Sequence, residues 1–168
     1  MEMEFYVVTA YRKSWWAIIS RLIQFVEKKP YSHCSILIKS ETSETIYESE
    51  VPVSREIPYS KWLESYDPIT FYKMPVKPES QLEAQLFLKS LTGHPYSIIE
   101  ALLIGIGRYN KNIAKFISKI VWNADRFFEC AEFVAVFQTL FCGADYSISQ
   151  DAIGLREVEE MSKKIAIE

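Results

Sequence analysis

The sequence predicts an α+β protein, and three observations lead to that class. Short runs of alternating or β-branched apolar residues fill much of the first half, which predicts strands joined by polar turns. From Pro78 onward the apolar residues recur at helical spacing. The 168 residues are 49% hydrophobic and contain no repeat or low-complexity tract, so we expect a single domain over 1–168. A small antiparallel sheet packed against helices is the expected architecture.

The first half predicts the sheet, with one helix between its first two strands. Residues 13–28 carry tryptophan, isoleucine, leucine and phenylalanine at helical spacing, and Pro30 ends that helix. The polar turn "SETSE" at 40–44 separates the second strand from the third. The predicted strands are 4–9, 33–39, 45–51, "VSREIP" and "ITFYKMP".

The second half predicts helices. "ESQLEAQLFLKSL" ends before Gly93, a typical residue after a helix, and Pro95 suits the first turn of the next one. Gly143 is expected to close the helix that contains "ECAEFVAVFQTLFC". The predicted helices after 79–91 are 95–104, 111–121, 129–142 and one from near Ser149 through "DAIGLREVEEM".

Composition excludes several classes of function. A net charge of −3 without a basic cluster argues against a nucleic-acid partner. "GIGRYN" lacks the third glycine and the preceding strand of a dinucleotide site, and no Walker-type Gly-Lys-Ser/Thr occurs, so no cofactor is expected. Neither His33 nor His94 has a zinc partner at ligand spacing, so no metal is expected.

The sequence also carries an expectation about compartment. The acidic start "MEMEFYVV" is unlike a secretory signal and the apolar runs are short, which predicts a soluble, cytoplasmic protein. The helix at 13–28 carries two tryptophans and basic residues mostly at its ends, so core packing is preferred and a membrane surface is the alternative. Oligomeric state is not indicated.

Three cysteines cannot all pair within one chain, and we expect free thiols. Cys130 and Cys142 would lie about 18 Å apart on one helix, too far for a disulfide. In "YSHCSIL", His33 and Cys34 are neighbours on a predicted strand and therefore point to opposite faces. They are not a catalytic pair, and Cys34 is expected to be a small buried hydrophobe.

Cys130 is the better thiol partner for His33. In the first turn of helix 129–142, unpaired N–H groups and the helix dipole favour a thiolate and could receive an oxyanion. A third polar group is needed to orient the imidazole. Glu48 and Glu50, in "IYESE", would lie on the same strand face, and their spacing alone leaves both as candidates. A structural role for each residue is the alternative.

The ordered set of motifs resembles one branch of a known family. This is the circularly permuted branch of the NlpC-like papain-fold cysteine hydrolases, which includes the YiiX-like proteins and is related to the lecithin retinol acyltransferase-like enzymes. The resemblance extends to about residue 155, and in this branch the histidine strand precedes the nucleophile helix. The motifs are "YSHCSILI", "IYESE", "DPITFYKMP", "GHPYS", "ECAEFV" and "SISQDAI".

The resemblance implies a permuted papain-like domain and assigns roles by motif. "YSH" implies His33 as the base, "YE" implies Glu48 as its orienting residue, and "CAEFV" implies Cys130 as the nucleophile. "GHPY" implies Tyr96 as a substrate-binding residue near the oxyanion position. The long stretch between Tyr96 and Cys130 departs from the pattern, as does Cys34, where an aliphatic residue is more usual.

The first hypothesis is therefore a cysteine hydrolase that cleaves an amide or peptide through a Cys-His-Glu triad. A lipid or ester acyl hydrolase or acyltransferase is the alternative within the same fold. A non-catalytic binding module on a papain-like scaffold is an alternative of another class. His94, in a predicted loop between helices, is interpreted as an ordinary exposed residue, with substrate contact as its alternative.

Overall fold

A five-stranded antiparallel sheet lies at the centre of the computed structural model, and helices pack against it. The structure describes residues 2–13, 21, 24, 25, 28–95, 130–146 and 153–167. The predicted α+β class is confirmed over those residues. The predicted helix at 111–121, the predicted helix at 95–104 beyond Pro95, and most of the one at 13–28 lie outside the described residues.

The strand order places the second strand in the interior of the sheet. In spatial sequence the strands run β4-β3-β2-β1-β5, and every neighbouring pair is antiparallel. β2 is therefore paired on both edges, and all of its residues except Lys39 are buried. The strands are β1 Glu4–Arg12, β2 His33–Lys39, β3 Glu44–Glu48, β4 Arg55–Pro58 and β5 Tyr66–Met74.

The two faces of the sheet bury separate apolar clusters, because successive side chains on a strand point to opposite sides. On β1, Phe5 and Val7 face the helices, whereas Val8 and Ala10 face the other way. The second cluster is completed by Leu37, Ile46, Trp62 and Tyr66.

The described helices follow the apolar patterns of the sequence. The helix that contains Cys130 is apolar on most sides, and it buries Phe133, Val134 and Phe137 against the sheet and its neighbours. Gly93 and Gly143 follow two of the helices with φ of +86° and +69°, which only glycine adopts readily. The helices are α1 Tyr59–Trp62, α2 Gln81–Ser90 (after a 3₁₀ turn, Pro78–Ser80), α3 Cys130–Phe141 and α4 Leu155–Ile165.

Several predicted boundaries were wrong, and one helix was missed. The first strand continues to Arg12 instead of ending at residue 9, and the fifth begins at Tyr66 instead of Ile69. The last helix begins at Leu155 rather than near Ser149, since Gly154 is extended and donates its N–H to the Glu157 carboxylate at 3.0 Å. The third strand ends at Glu48 instead of continuing to residue 51. The single turn of α1 is too short to produce a periodic pattern.

A buried carboxylate ties the C-terminal helix to the rest of the fold. Glu159, on α4, accepts hydrogen bonds from Lys29 at 2.5 Å and from Tyr31 at 2.8 Å. It also lies 2.9 Å from the Lys163 ammonium group. Burial by itself raises the pKa of Glu159, but these partners outweigh it and lower the pKa to about 2. None of the helices in the described residues is long and apolar enough to cross a membrane.

Candidate active site

His33 is the first residue of β2, and its side chain faces the second apolar cluster. The ring stacks on Tyr66 with the two centroids 4.9 Å apart, and Tyr66 in turn stacks on Trp62 at 4.8 Å. The exposed fraction of His33 is 6%. The aromatic stack therefore restricts the imidazole to one orientation, which is what a base or proton donor requires.

Glu48 is the carboxylate that contacts His33. The register of β2 against β3 pairs Ile36 with Tyr47, which places Glu48 opposite Ser35 and diagonal to His33, two positions along β2. Glu48 Oε2 lies 2.7 Å from His33 Nε2, and Glu48 is fully buried. This contact leaves Nδ1 as the ring nitrogen that can face a nucleophile.

Two further donors hold the Glu48 carboxylate. The Trp62 indole donates to Oε2 at 2.8 Å, and the Arg55 guanidinium donates to Oε1 at 2.8 Å from Nε and 2.6 Å from Nη2. Burial by itself raises the pKa of Glu48, but His33, Arg55 and Trp62 together lower that pKa to about 2. Glu48 is therefore ionised throughout the neutral pH range.

Cys130 is the first described residue of α3, and its thiol hydrogen-bonds to His33. Burial opposes charge on both groups. Hydrogen bonding from Cys34, followed by hydrogen bonding and charge attraction from His33, holds the pKa of Cys130 well below its ordinary value. Hydrogen bonds to Cys130 and Glu48 outweigh the effect of burial and hold the pKa of His33 well above its ordinary value. The pair therefore favours a thiolate and an imidazolium.

These contacts form a buried chain of alternating charge. Its order is Cys130 thiolate, His33 imidazolium, Glu48 carboxylate and Arg55 guanidinium. Only Arg55, with a side chain that is 38% exposed, reaches solvent to a large extent. Each charge has an opposite charge beside it, which offsets the cost of removing these groups from water.

Glu50 lies on the same side of the sheet but has a different partner. Its carboxylate binds Arg12 at 2.7 Å and accepts the Val51 N–H at 2.9 Å. His33, Glu48 and Glu50 each have a possible ligand atom within 4.8 Å of the others, so a divalent cation must be considered. Both carboxylates, however, are already neutralised by an arginine, and this favours an orienting role over a metal site.

Cys34 is buried as predicted, and it also makes a contact that was not predicted. As predicted, it points to the face opposite His33, and it is fully buried in the first cluster. That face, however, is the one covered by α3, so the Cys34 thiol donates to the Cys130 backbone carbonyl at 3.2 Å and also hydrogen-bonds to the Cys130 side chain. Cys34 is therefore a buried core residue whose thiol also contacts Cys130.

The remaining predicted residues lie apart from this cluster or outside the described chain. Tyr96, the predicted substrate-binding residue, lies outside the described residues. His94 is exposed in the turn after α2, where its carbonyl accepts the Ser54 N–H at 2.7 Å. The three cysteines form no disulfide, and burial raises the pKa of Cys142 to about 12.

Trp62, Tyr66, Arg55 and Arg12 were not predicted as site residues. Trp62 belongs to a single helical turn, and Arg55 to a four-residue strand at the sheet edge. Neither segment carries a pattern that points to a site, although tryptophan and arginine are the kinds of residue that fix a buried carboxylate. Compared with protein-family models and with curated proteins, the chain matches none of them.

Proposed function

We propose that the protein is a cysteine hydrolase that cleaves amide bonds, with Cys130, His33 and Glu48 as its catalytic groups. The observation that carries this proposal is the buried contact chain from Cys130 through His33 to Glu48. Residues separated by almost a hundred positions meet there with the charges that nucleophilic catalysis requires. The imidazole is buried between a thiol and a carboxylate, and that carboxylate is itself held by two further donors.

The same order of residues supports a permuted papain-like fold. The histidine strand comes first, the acidic residue follows on the neighbouring antiparallel strand, and the helix with the cysteine comes later and packs against β2. This is the arrangement that the permuted NlpC-like resemblance implies. The fold by itself does not determine the chemistry, so the proposal depends on the site.

In the proposed reaction the Cys130 thiolate attacks the carbonyl carbon, and a C–S bond forms while the carbonyl oxygen becomes an oxyanion. Backbone N–H groups near Cys130 bind that oxyanion. His33 then gives its Nδ1 proton to the leaving amine, and the C–N bond breaks to leave an acyl-thioester on Cys130. A water that loses a proton to His33 releases the acyl group, while Glu48 holds the ring in place.

A small activated ester tests this chemistry without knowledge of the natural substrate. The protein is mixed with p-nitrophenyl acetate, and peptide mass spectrometry locates the acetyl group. We expect rapid acetylation of Cys130, none of Cys142, and loss of the fast phase in Cys130→Ala. Cys142→Ser is the matched control, since Cys142 lies elsewhere on the α3 side of the protein and outside the contact chain.

Slow acetylation of Cys130 at the rate of an ordinary thiol would contradict the proposal and favour a binding module on the same scaffold. A fast phase that survives in Cys130→Ala would assign the nucleophile to another residue. Cys130→Ala is a mild change in volume at a site that already packs against alanine and phenylalanine, and a thermal melt checks that it folds.

A further inference from the structure

The thiol that contacts Cys130 belongs to a second cysteine. Cys34 Sγ lies 3.2 Å from the Cys130 carbonyl oxygen, and the two side chains hydrogen-bond to each other. The Cys34 backbone also hydrogen-bonds to the Cys130 sulfur. Both residues are buried, with exposed fractions of 0% and 4%. The single proton of the Cys34 thiol therefore has two acceptors within reach, and both belong to Cys130.

This contact does not extend to the third cysteine. Cys142 follows the end of α3, about 18 Å from Cys130 along the helix axis. Its pKa is raised by burial to about 12, so it remains a protonated thiol at neutral pH. The chain thus provides one thiolate with an adjacent thiol and one isolated thiol for comparison.

An ionised cysteine beside a second thiol has a known reactivity towards peroxides. Thiolates are oxidised by peroxides to sulfenic acids, and a sulfenic acid condenses with a neighbouring thiol to give a disulfide. Without such a neighbour, further peroxide converts the sulfenic acid to a sulfinic acid, which ordinary reductants do not reverse. The position of Cys34 decides which of these two outcomes applies here.

We propose that Cys34 and Cys130 form a reversible disulfide when Cys130 reacts with hydrogen peroxide. This modification goes beyond the proposed hydrolysis, although it uses the same thiolate. Closing the bond requires the two sulfurs to move from hydrogen-bonding distance to about 2.05 Å. Hydrogen peroxide has only two heavy atoms, and this small size suits a sulfur atom whose residue is only 4% exposed.

The oxidation proceeds in two balanced steps. The Cys130 thiolate attacks one oxygen of hydrogen peroxide, the O–O bond breaks, and the departing hydroxide takes a proton from His33 to leave as water. Cys34 then attacks the sulfenic sulfur; the S–S bond forms, the S–O bond breaks, and the departing hydroxide takes the Cys34 thiol proton and leaves as a second water. Two thiols are oxidised and one hydrogen peroxide is reduced to two waters.

The consequence is that the nucleophile is stored in a recoverable form. In the disulfide state the Cys130 sulfur is bonded to Cys34 and is no longer a free thiolate, so acyl transfer stops. A dithiol reductant returns both sulfurs to thiols by exchange. Without Cys34, the same exposure to peroxide would destroy the nucleophile.

The test treats the reduced protein with hydrogen peroxide and maps its cysteines by peptide mass spectrometry before and after dithiothreitol. In the parent protein we expect a Cys34–Cys130 disulfide and full recovery of Cys130 alkylation after reduction. In Cys34→Ser we expect a sulfenic acid that dimedone traps, followed by a sulfinic acid that dithiothreitol does not reverse. Cys142→Ser should behave like the parent.

Sulfinic acid at Cys130 in the parent while Cys34 stays reduced would overturn the proposal. So would a parent protein that peroxide leaves unoxidised, or one in which Cys34→Ser recovers as fully as the parent. If Cys34→Ser does not fold, the cysteine mapping of the peroxide-treated parent protein still shows whether the Cys34–Cys130 disulfide forms. Acetylation of the reduced protein tests the hydrolase separately: a disulfide without acetylation refutes only the hydrolase, and acetylation without a disulfide refutes only this inference.

Discussion

Replacement of Glu48 by glutamine tests the central contact of the site with a nearly isosteric change. The amide keeps the size of the side chain but removes the negative charge that His33 and Arg55 face. Without that charge the imidazolium loses stabilisation, and the Cys130 thiolate loses stabilisation in turn because it depends on the imidazolium. We therefore expect Glu48→Gln to lower the reactivity of Cys130.

The magnitude follows from the pKa of Glu48. A fall from the ordinary value of 4.5 to about 2 corresponds to roughly 3 kcal/mol between the carboxylate and its surroundings, at about 1.36 kcal/mol per unit. The hydrogen bond and charge of His33 lower this pKa more than Arg55 or Trp62 does. If His33 accounts for about half of the total, the ion pair on Cys130 loses about 1.4 kcal/mol, or roughly tenfold.

The assay is the rate at which iodoacetamide alkylates each cysteine between pH 5 and 9, read by peptide mass spectrometry. We expect Cys130 to react fastest in the parent, and to react roughly tenfold more slowly in Glu48→Gln at the pH where the parent rate is half-maximal. Cys142 should stay unreactive, because it is buried and its pKa is raised, and alkylation of Cys142 would indicate that the variant is at least partly unfolded.

Glu50→Gln is the matched control, because Glu50 is also buried and ion-paired, but to Arg12 and not to His33. Both variants lose a buried charge, so both are expected to lose stability. Only Glu48→Gln is expected to slow Cys130. An equal slowing in the two variants, or a parental rate in Glu48→Gln, would refute the reasoning.

The same substitution predicts a pH dependence of stability. The folded pKa of Glu48 lies below its unfolded value, so the carboxylate stabilises the fold above about pH 4.5 and this contribution is lost as the pH falls towards 2. In urea titrations we expect the parent to exceed Glu48→Gln by roughly 3 kcal/mol at pH 7 and by little near pH 2. A gap that is constant with pH would mean that the carboxylate charge is not its source.

Three further predictions concern other contacts. Trp62→Phe keeps the stacking surface but removes the donor to Glu48, so Cys130 alkylation should slow only a few-fold, and an unchanged rate would show that this hydrogen bond does not tune the site. Glu159→Gln should lower the unfolding free energy by about 2–3 kcal/mol at pH 7, with a difference that vanishes near pH 2, while Cys130 alkylation stays parental. Phe137→Ala should cost about 3–5 kcal/mol in urea unfolding, because Phe137 is fully buried between helix and sheet.

Patterns in the sequence were enough for the strands of the sheet and for the described helices longer than one turn. β2 was predicted at 33–39 and lies at His33–Lys39, since an apolar run between a proline turn and a polar turn leaves little choice of boundaries. Helix α3 was predicted at 129–142 and is described over Cys130–Phe141. Both elements are long and strongly apolar, and such segments are specified mainly by their own residues.

The supporting residues of the site could not be predicted in this way. Trp62 and Arg55 reach Glu48 only because β3, β4 and α1 fold back on one another at the edge of the sheet. Those contacts depend on tertiary packing rather than on any spacing within a segment. The choice between Glu48 and Glu50 has the same origin, since both face one side of the sheet and Arg12 of β1 engages only Glu50.

Cys34 shows what a correct local rule leaves out. Neighbouring residues on a strand do point to opposite faces, and His33 and Cys34 belong to clusters on opposite sides of the sheet. Both nevertheless contact Cys130, which is possible because His33 is the first residue of β2. A residue packed over the middle of a strand meets one face only, whereas a residue at the strand's end can meet both. The strand end therefore gives one sulfur both a base and a second thiol, so the proposed hydrolysis and the proposed disulfide arise from the same geometry.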